Sequence, residues 1–144
     1  MISANQYPSA IDPELVGTYP ALAKTGGGYV WDAVLEYRVW CHSEEGDFYY
    51  AFATYEEALT VSNETENAED PLALVLQCEY IDEPEDGKYI HVKQERISEW
   101  PPEFLERPKR ADNTIPDFLS PNAPVNRLDI LRGKAKHVGA ISEA

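Results

Sequence analysis

Glu79 and His91 are the pair in this chain best suited to moving a proton. If the two face each other across a hairpin, the carboxylate raises the histidine pKa and orients the imidazole for acid–base work. Trp40 and Tyr49 offer stacking surfaces, and Arg38 offers a charged anchor beside them. Aromatic platforms mixed with charged and hydrogen-bonding groups are the material of small-molecule and peptide sites.

Other constellations fail on spacing or geometry. Cys41, His42, Cys78 and His91 have the donor types of a zinc site. Cys41 and His42, however, are neighbours in a predicted strand and point to opposite faces. Both cysteines fall on the apolar side, where structural thiols sit, which also argues against a Cys/His nucleophile pair. The turn at 83–87, EPEDG, lacks the alternating ligand positions of a calcium loop. Lys24-Thr25-Gly26-Gly27-Gly28 has the residue types of a phosphate loop in the wrong order, because a P-loop places its Lys and Thr after the glycines at a helix start. That run is predicted to be a hinge.

These residues sit in a chain of 144 with net charge −14. Residues 43–106 carry 18 Asp/Glu against Lys88, Lys93 and Arg96, whereas residues 107–137 carry seven Lys/Arg against three Asp. Opposite fields on neighbouring segments predict a basic tail that folds back on the acidic core or grips a partner. The acidity disfavours nucleic acid and anionic membranes, whose phosphates need clustered Lys/Arg, and favours protein or small-molecule partners, cationic ones among them. An acidic mimic of nucleic acid is a further class resting on charge alone. No run reaches the length of a membrane span, the first 20 residues lack a basic n-region, and two cysteines make no disulfide framework. A reducing cytoplasm is the expected compartment.

The pattern along the chain predicts an α+β domain. Residues 1–28 read as an irregular arm punctuated by Pro8, Pro13, Pro20 and the glycine run, with one short turn after Asp12-Pro13. Residues 33–42 and 48–53 alternate as two strands around the turn 43–46. Thr54-Tyr55-Glu56-Glu57 fits a capping box that opens a helix to about Asn63. Residues 72–81 form a third, nearly apolar strand and 88–97 a fourth. A short helix follows Trp100-Pro101-Pro102. From Arg107 the chain is a basic, proline-containing extension with apolar patches at 115–119 and 125–131, the second ending at Gly133. The expected architecture is a four-stranded mixed sheet in the order β-β-α-β-β-α, with one helix-covered face. The core spans 29–106, between an arm (1–28) and a tail (107–144).

Register follows from keeping apolar residues on one face. The first hairpin then pairs Cys41 with Phe48, Val39 with Tyr50 and Tyr37 with Phe52. The second pairs Tyr80 with Ile90, Cys78 with Val92 and Leu76 with Gln94. The other face carries Glu36, Arg38, Trp40, His42 and Tyr49 together with Gln77, Glu79, Tyr89, His91 and Lys93. That face is either a contact surface or the place where the arm or tail lies down, since such cross-strand pairs also stabilise sheets.

The stretch Tyr29 to Arg110, with YVWDAVLEYRVWCH, FATYEEAL, LVLQCEYIDEP and ISEWPPEFLERP, resembles a small bacterial family labelled GNAT-type N-acetyltransferase. The resemblance implies acetyl-coenzyme A (acetyl-CoA) as donor and an amine as acceptor. Its coenzyme loop, Arg/Gln-x-x-Gly-x-Gly/Ala between a strand and a helix, has no counterpart at Ala51-Phe52-Ala53-Thr54-Tyr55. Arg132-Gly133-Lys134-Ala135 is spaced differently, so no catalytic or coenzyme-binding residue carries over. The leading expectation is a non-enzymatic cytosolic interaction or ligand-binding module, with no cofactor, working through Arg38, Trp40, Tyr49, Glu79 and His91. The alternative is an acetyltransferase with Glu79 or His91 as general base. A tail reaching a neighbouring subunit would join copies into a homo-oligomer.

Overall fold

The computed structural model describes residues 7–134. The start of the arm and the end of the tail, Lys136 and His137 included, lie outside the described residues. In chain order the elements are β1 (Lys24–Thr25), β2 (Ala33–Ser43), β3 (Gly46–Phe52), α1 (Tyr55–Glu64), β4 (Leu72–Gln77), β5 (Tyr80–Glu85), β6 (Lys88–Val92), β7 (Arg96–Trp100), α2 (Thr114–Leu119) and α3 (Arg127–Leu131).

Alternation of apolar and polar residues fixes β2 against β3 in the predicted register, with Tyr37, Val39 and Cys41 opposite Phe52, Tyr50 and Phe48. The Thr54 side chain caps α1 by accepting the Glu57 amide at 3.2 Å. Its hydroxyl donates to the Glu57 carboxylate, so the return bond runs to the side chain and not to the Thr54 backbone.

The second half departs from expectation. The strand predicted over 72–81 breaks at Cys78, whose amide turns aside to donate to Asp32 Oδ2 at 2.7 Å. Its first part, β4, stays in the main sheet, and its second, β5, pairs with β6 in a separate two-stranded sheet. Tyr80 there faces Val92 instead of Ile90, and the tight turn lies at Asp86-Gly87, between Glu85 and Lys88. The vacated edge of β4 is taken by β7, a strand split between the predicted fourth strand and the helix after Trp100. A four-stranded sheet thus becomes five strands in the order β1-β7-β4-β2-β3, plus a two-stranded ribbon.

One face of the main sheet packs Tyr37, Val39, Cys41, Ala73, Val75 and Trp100 against Ala58 of α1 and its surroundings. A second cluster forms where the tail returns. Ile115 and Phe118 of α2 and Leu131 of α3 close over Val30 and Ile81. Arg110 locks this return through Asp32 at 2.8 Å. Residues 107–134 therefore lie against their own chain.

At the turn end of the first hairpin, His42 Nδ1 meets Asp47 at 2.7 Å and Nε2 meets Glu69 at 2.5 Å. Donating to both carboxylates requires the imidazolium, and these bonds hold the His42 pKa above its usual value. A raised folded-state pKa contributes stability that is fully present below the unfolded value of about 6.5 and disappears as pH rises through the folded one. An NMR titration of His42 is expected to show the elevated midpoint, and Asp47→Asn to lower it; a midpoint unmoved by that change would refute the bridge.

Candidate functional site

The five residues singled out from the sequence divide into two groups. Arg38 lies at the centre of the sheet face opposite α1, with no exposed surface. Its Nε binds Glu36 at 2.7 Å and its Nη1 binds Glu99 at 3.0 Å. Trp40 Nε1 donates to the same Glu99 oxygen at 2.8 Å, and the guanidinium stacks 4.5 Å from the Tyr49 ring centroid. The arm crosses directly above. Arg38 donates to the Pro20 and Ala21 carbonyls at 2.6 and 3.1 Å. Gly17 N donates to Glu36 at 2.8 Å, and the Tyr49 hydroxyl donates to Tyr19 O at 3.3 Å. Burial by itself would lower the Arg38 pKa, but the bonds to Glu36 and Glu99 outweigh it and raise it. Arg38, Trp40 and Tyr49 form a closed internal clasp for the arm.

Glu79 and His91 do not share that face, because β5 and β6 left the main sheet. They remain together at 2.7 Å, reached diagonally across the ribbon. The His91 contact, supported by Arg110, holds the Glu79 carboxyl below its usual pKa. Beside them, burial and the Asp32 carboxylate raise the Cys78 thiol, keeping it protonated and poorly nucleophilic.

A concavity lies elsewhere, between the glycine run, β5 and the start of the tail. It has a volume of about 500 Å³. The glycine run in its lining is tied down by Gln77, which is fully buried. Gln77 Nε2 donates to the Gly27 and Val30 carbonyls at 3.0 and 2.9 Å, while Oε1 accepts from Arg96 Nε at 2.7 Å and from Ser98 at 2.8 Å. Trp100 Nε1 adds a second donor to Gly27 O at 3.0 Å. Gly26, Gly27 and Gly28 all have positive φ, and a Cβ on Gly28 would lie 2.2 Å from Gln77 Nε2. The run is a pinned loop, and the hinge predicted from sequence is replaced by the most tightly tied turn of the arm.

Four cations border this cleft: Lys24, Arg96, Arg107 and Arg132. Arg96 stacks 4.0 Å from the Tyr80 centroid and Arg107 lies 4.1 Å from that of Phe104. Asp82 and Glu83 also line the cleft, where Glu83 accepts from the Tyr29 hydroxyl and from Gly87 N and feels the charge of Arg132. Burial, then the bond to Glu83, pushes the Tyr29 pKa up to about 12. Sequence reasoning met Lys24 within the phosphate-loop composition at 24–28, Arg107 at the start of the basic tail and Arg132 beside Gly133, and did not bring them together with Arg96.

The junction that would have to receive the coenzyme in an acetyltransferase is the start of α1. Thr54 accepts the amide of Glu57 there, and Glu56 and Glu57 lie in its first turn. Carboxylates at that helix start disfavour a second anion beside them. Among the described residues no group of three His, Cys, Asp or Glu is arranged to hold a metal ion, and no helix is long and apolar enough to cross a membrane. No protein-family model, curated protein or solved structure matches the chain.

Proposed function

We propose that this chain is a small-molecule-binding module whose working site is the glycine-loop cleft. The observation that carries the reading is preorganisation. Three distant segments wall one cavity, and the hydrogen bonds of Gln77 and Trp100 hold the loop in place before any ligand arrives. In this reading the face with Arg38, Trp40 and Tyr49 is structural, and the two free cysteines suit a reducing, cytoplasmic setting.

The test is a fragment screen followed by amide and indole NMR. Ligands are expected to shift the amides of Gly26, Gly27 and Gly28 and the Trp100 indole N–H. A screen whose hits leave all four unmoved would exclude the cleft as the site.

The Glu79–His91 contact at 2.7 Å favours one second reading, an acetyl-CoA-dependent N-acetyltransferase. There the carboxylate–imidazole pair serves as general base toward an amine. Release of free coenzyme A in the presence of an amine acceptor, abolished by His91→Gln, supports that reading; no release removes it.

A further inference from the structure

Resting on the cleft as a binding site, we infer that its ligand is a small molecule bearing a phosphate group, held by Lys24, Arg96, Arg107 and Arg132 against the glycine loop. The first support is an imbalance. The chain carries 26 Asp/Glu against 12 Lys/Arg. Among the described residues, Arg38, Lys88 and Arg110 are the Lys/Arg side chains with a carboxylate within salt-bridge distance. Among the described residues, none of these four cations has a carboxylate within salt-bridge distance.

The second support is unused hydrogen-bonding capacity. Among the described residues, Arg132 Nε is buried and has no hydrogen-bond partner. The amides of Gly27 and Tyr29 have no acceptor among the described residues. A buried guanidinium N–H left unpaired costs free energy that a bound oxyanion would return. The backbone here is left-handed, with φ +81° at Gly27, +83° at Gly28 and +68° at Tyr29, and these residues line the cleft.

The third support is repulsion within the set. Burial, and the nearby charge of Arg132, lower the Arg107 pKa. Glu83 lies near enough to Arg132 for the two charges to attract, and an anion would relieve the Arg107–Arg132 repulsion that this carboxylate leaves. Several guanidinium forks around one point suit the oxygens of a phosphate, which accept more bonds than a carboxylate can. Asp82, which also lines the cleft, accepts hydroxyls from the part of the ligand that does not carry the phosphate. An adjoining hollow of about 500 Å³ that shares Phe104, Arg107 and Arg132 leaves room for that remainder.

Pyrophosphate, inorganic phosphate and sulfate are the probes, titrated into the full chain at low and physiological salt and read by calorimetry and by the same amide shifts. Pyrophosphate is expected to bind saturably, to raise the melting temperature with concentration, and to shift Gly27 and Tyr29. Arg132→Gln and the exposed Lys24→Gln are each expected to fold normally and to weaken binding about tenfold or more. Absence of saturable binding, or binding unchanged in both variants, overturns the assignment. An equal response to sulfate reduces the site to a general anion trap and also overturns it. Fragments that occupy the cleft while phosphates do not would remove the ligand class and leave the binding reading standing.

Discussion

Arg38→Ala is expected to cost about 3–5 kcal/mol of folding stability, the penalty for leaving buried carboxylates without their cation. Glu36 is fully buried and Glu99 nearly so, and both lose their charge partner together. The arm loses two of its anchors in the same step, at Pro20 O and Ala21 O. Urea unfolding would register the cost, and limited proteolysis would show cleavage rising between Gly17 and Ala23. Arg38→Lys is expected to recover little of the loss, because a single ammonium cannot span two carboxylates and two carbonyls at once. Arg38→Met combined with Glu36→Gln and Glu99→Gln removes all three charges and is expected to be milder than Arg38→Ala alone. A loss below about 1 kcal/mol for Arg38→Ala would contradict a clasp built on buried charge.

Ending the chain at Arg110 is the second large effect. Ile115, Phe118 and Leu131 are each nearly or fully buried against Val30 and Ile81. At about 1.5–3 kcal/mol for each large apolar side chain, their removal is expected to cost on the order of 5 kcal/mol. The β5–β6 ribbon then has little to pack on, and two strands alone are marginal in water. Hydrogen exchange is expected to rise first in β5 and β6, while the hairpin of β2 and β3 stays protected until global unfolding. An unchanged melting temperature would mean that the tail contributes no core. The truncation also removes Arg132, so any phosphate response should weaken with it.

What could be read from the residues in advance was local. The β2–β3 register followed from strict alternation and a short loop, since a slip by one residue would have buried Arg38 under α1 and exposed Val39. The cap at Thr54 and the stop at Gly133 were equally visible, because each depends on a few consecutive residues. The run LALVLQCEYI was different. Nothing in an apolar run marks the residue at which its partner changes, and the break at Cys78 is made by Asp32, forty-six positions earlier. Ser98 and Trp100 looked like a strand end and a helix start because their pairing with β4 is non-local. Glu36, Arg38, Trp40 and Tyr49 were assigned to the correct face, and of the two readings left open for it the structure shows the arm lying down on it. The cleft was the hardest to see. Lys24, Arg96, Arg107 and Arg132 come from the arm, the last sheet strand and the tail, and only the fold makes them neighbours.

The arm is gripped almost entirely by its main chain: the Arg38 fork takes the carbonyls of Pro20 and Ala21, Tyr49 takes that of Tyr19, and Glu36 takes the amide of Gly17. Carbonyl oxygens are common to every amino acid, so this grip specifies a path and is indifferent to spelling. Leu22, left 91% exposed just past the crossing, is the visible sign of that freedom. Side chains between Thr18 and Leu22 can thus drift, or be rewritten to carry a label or an affinity handle, while the strap keeps its course over the sheet.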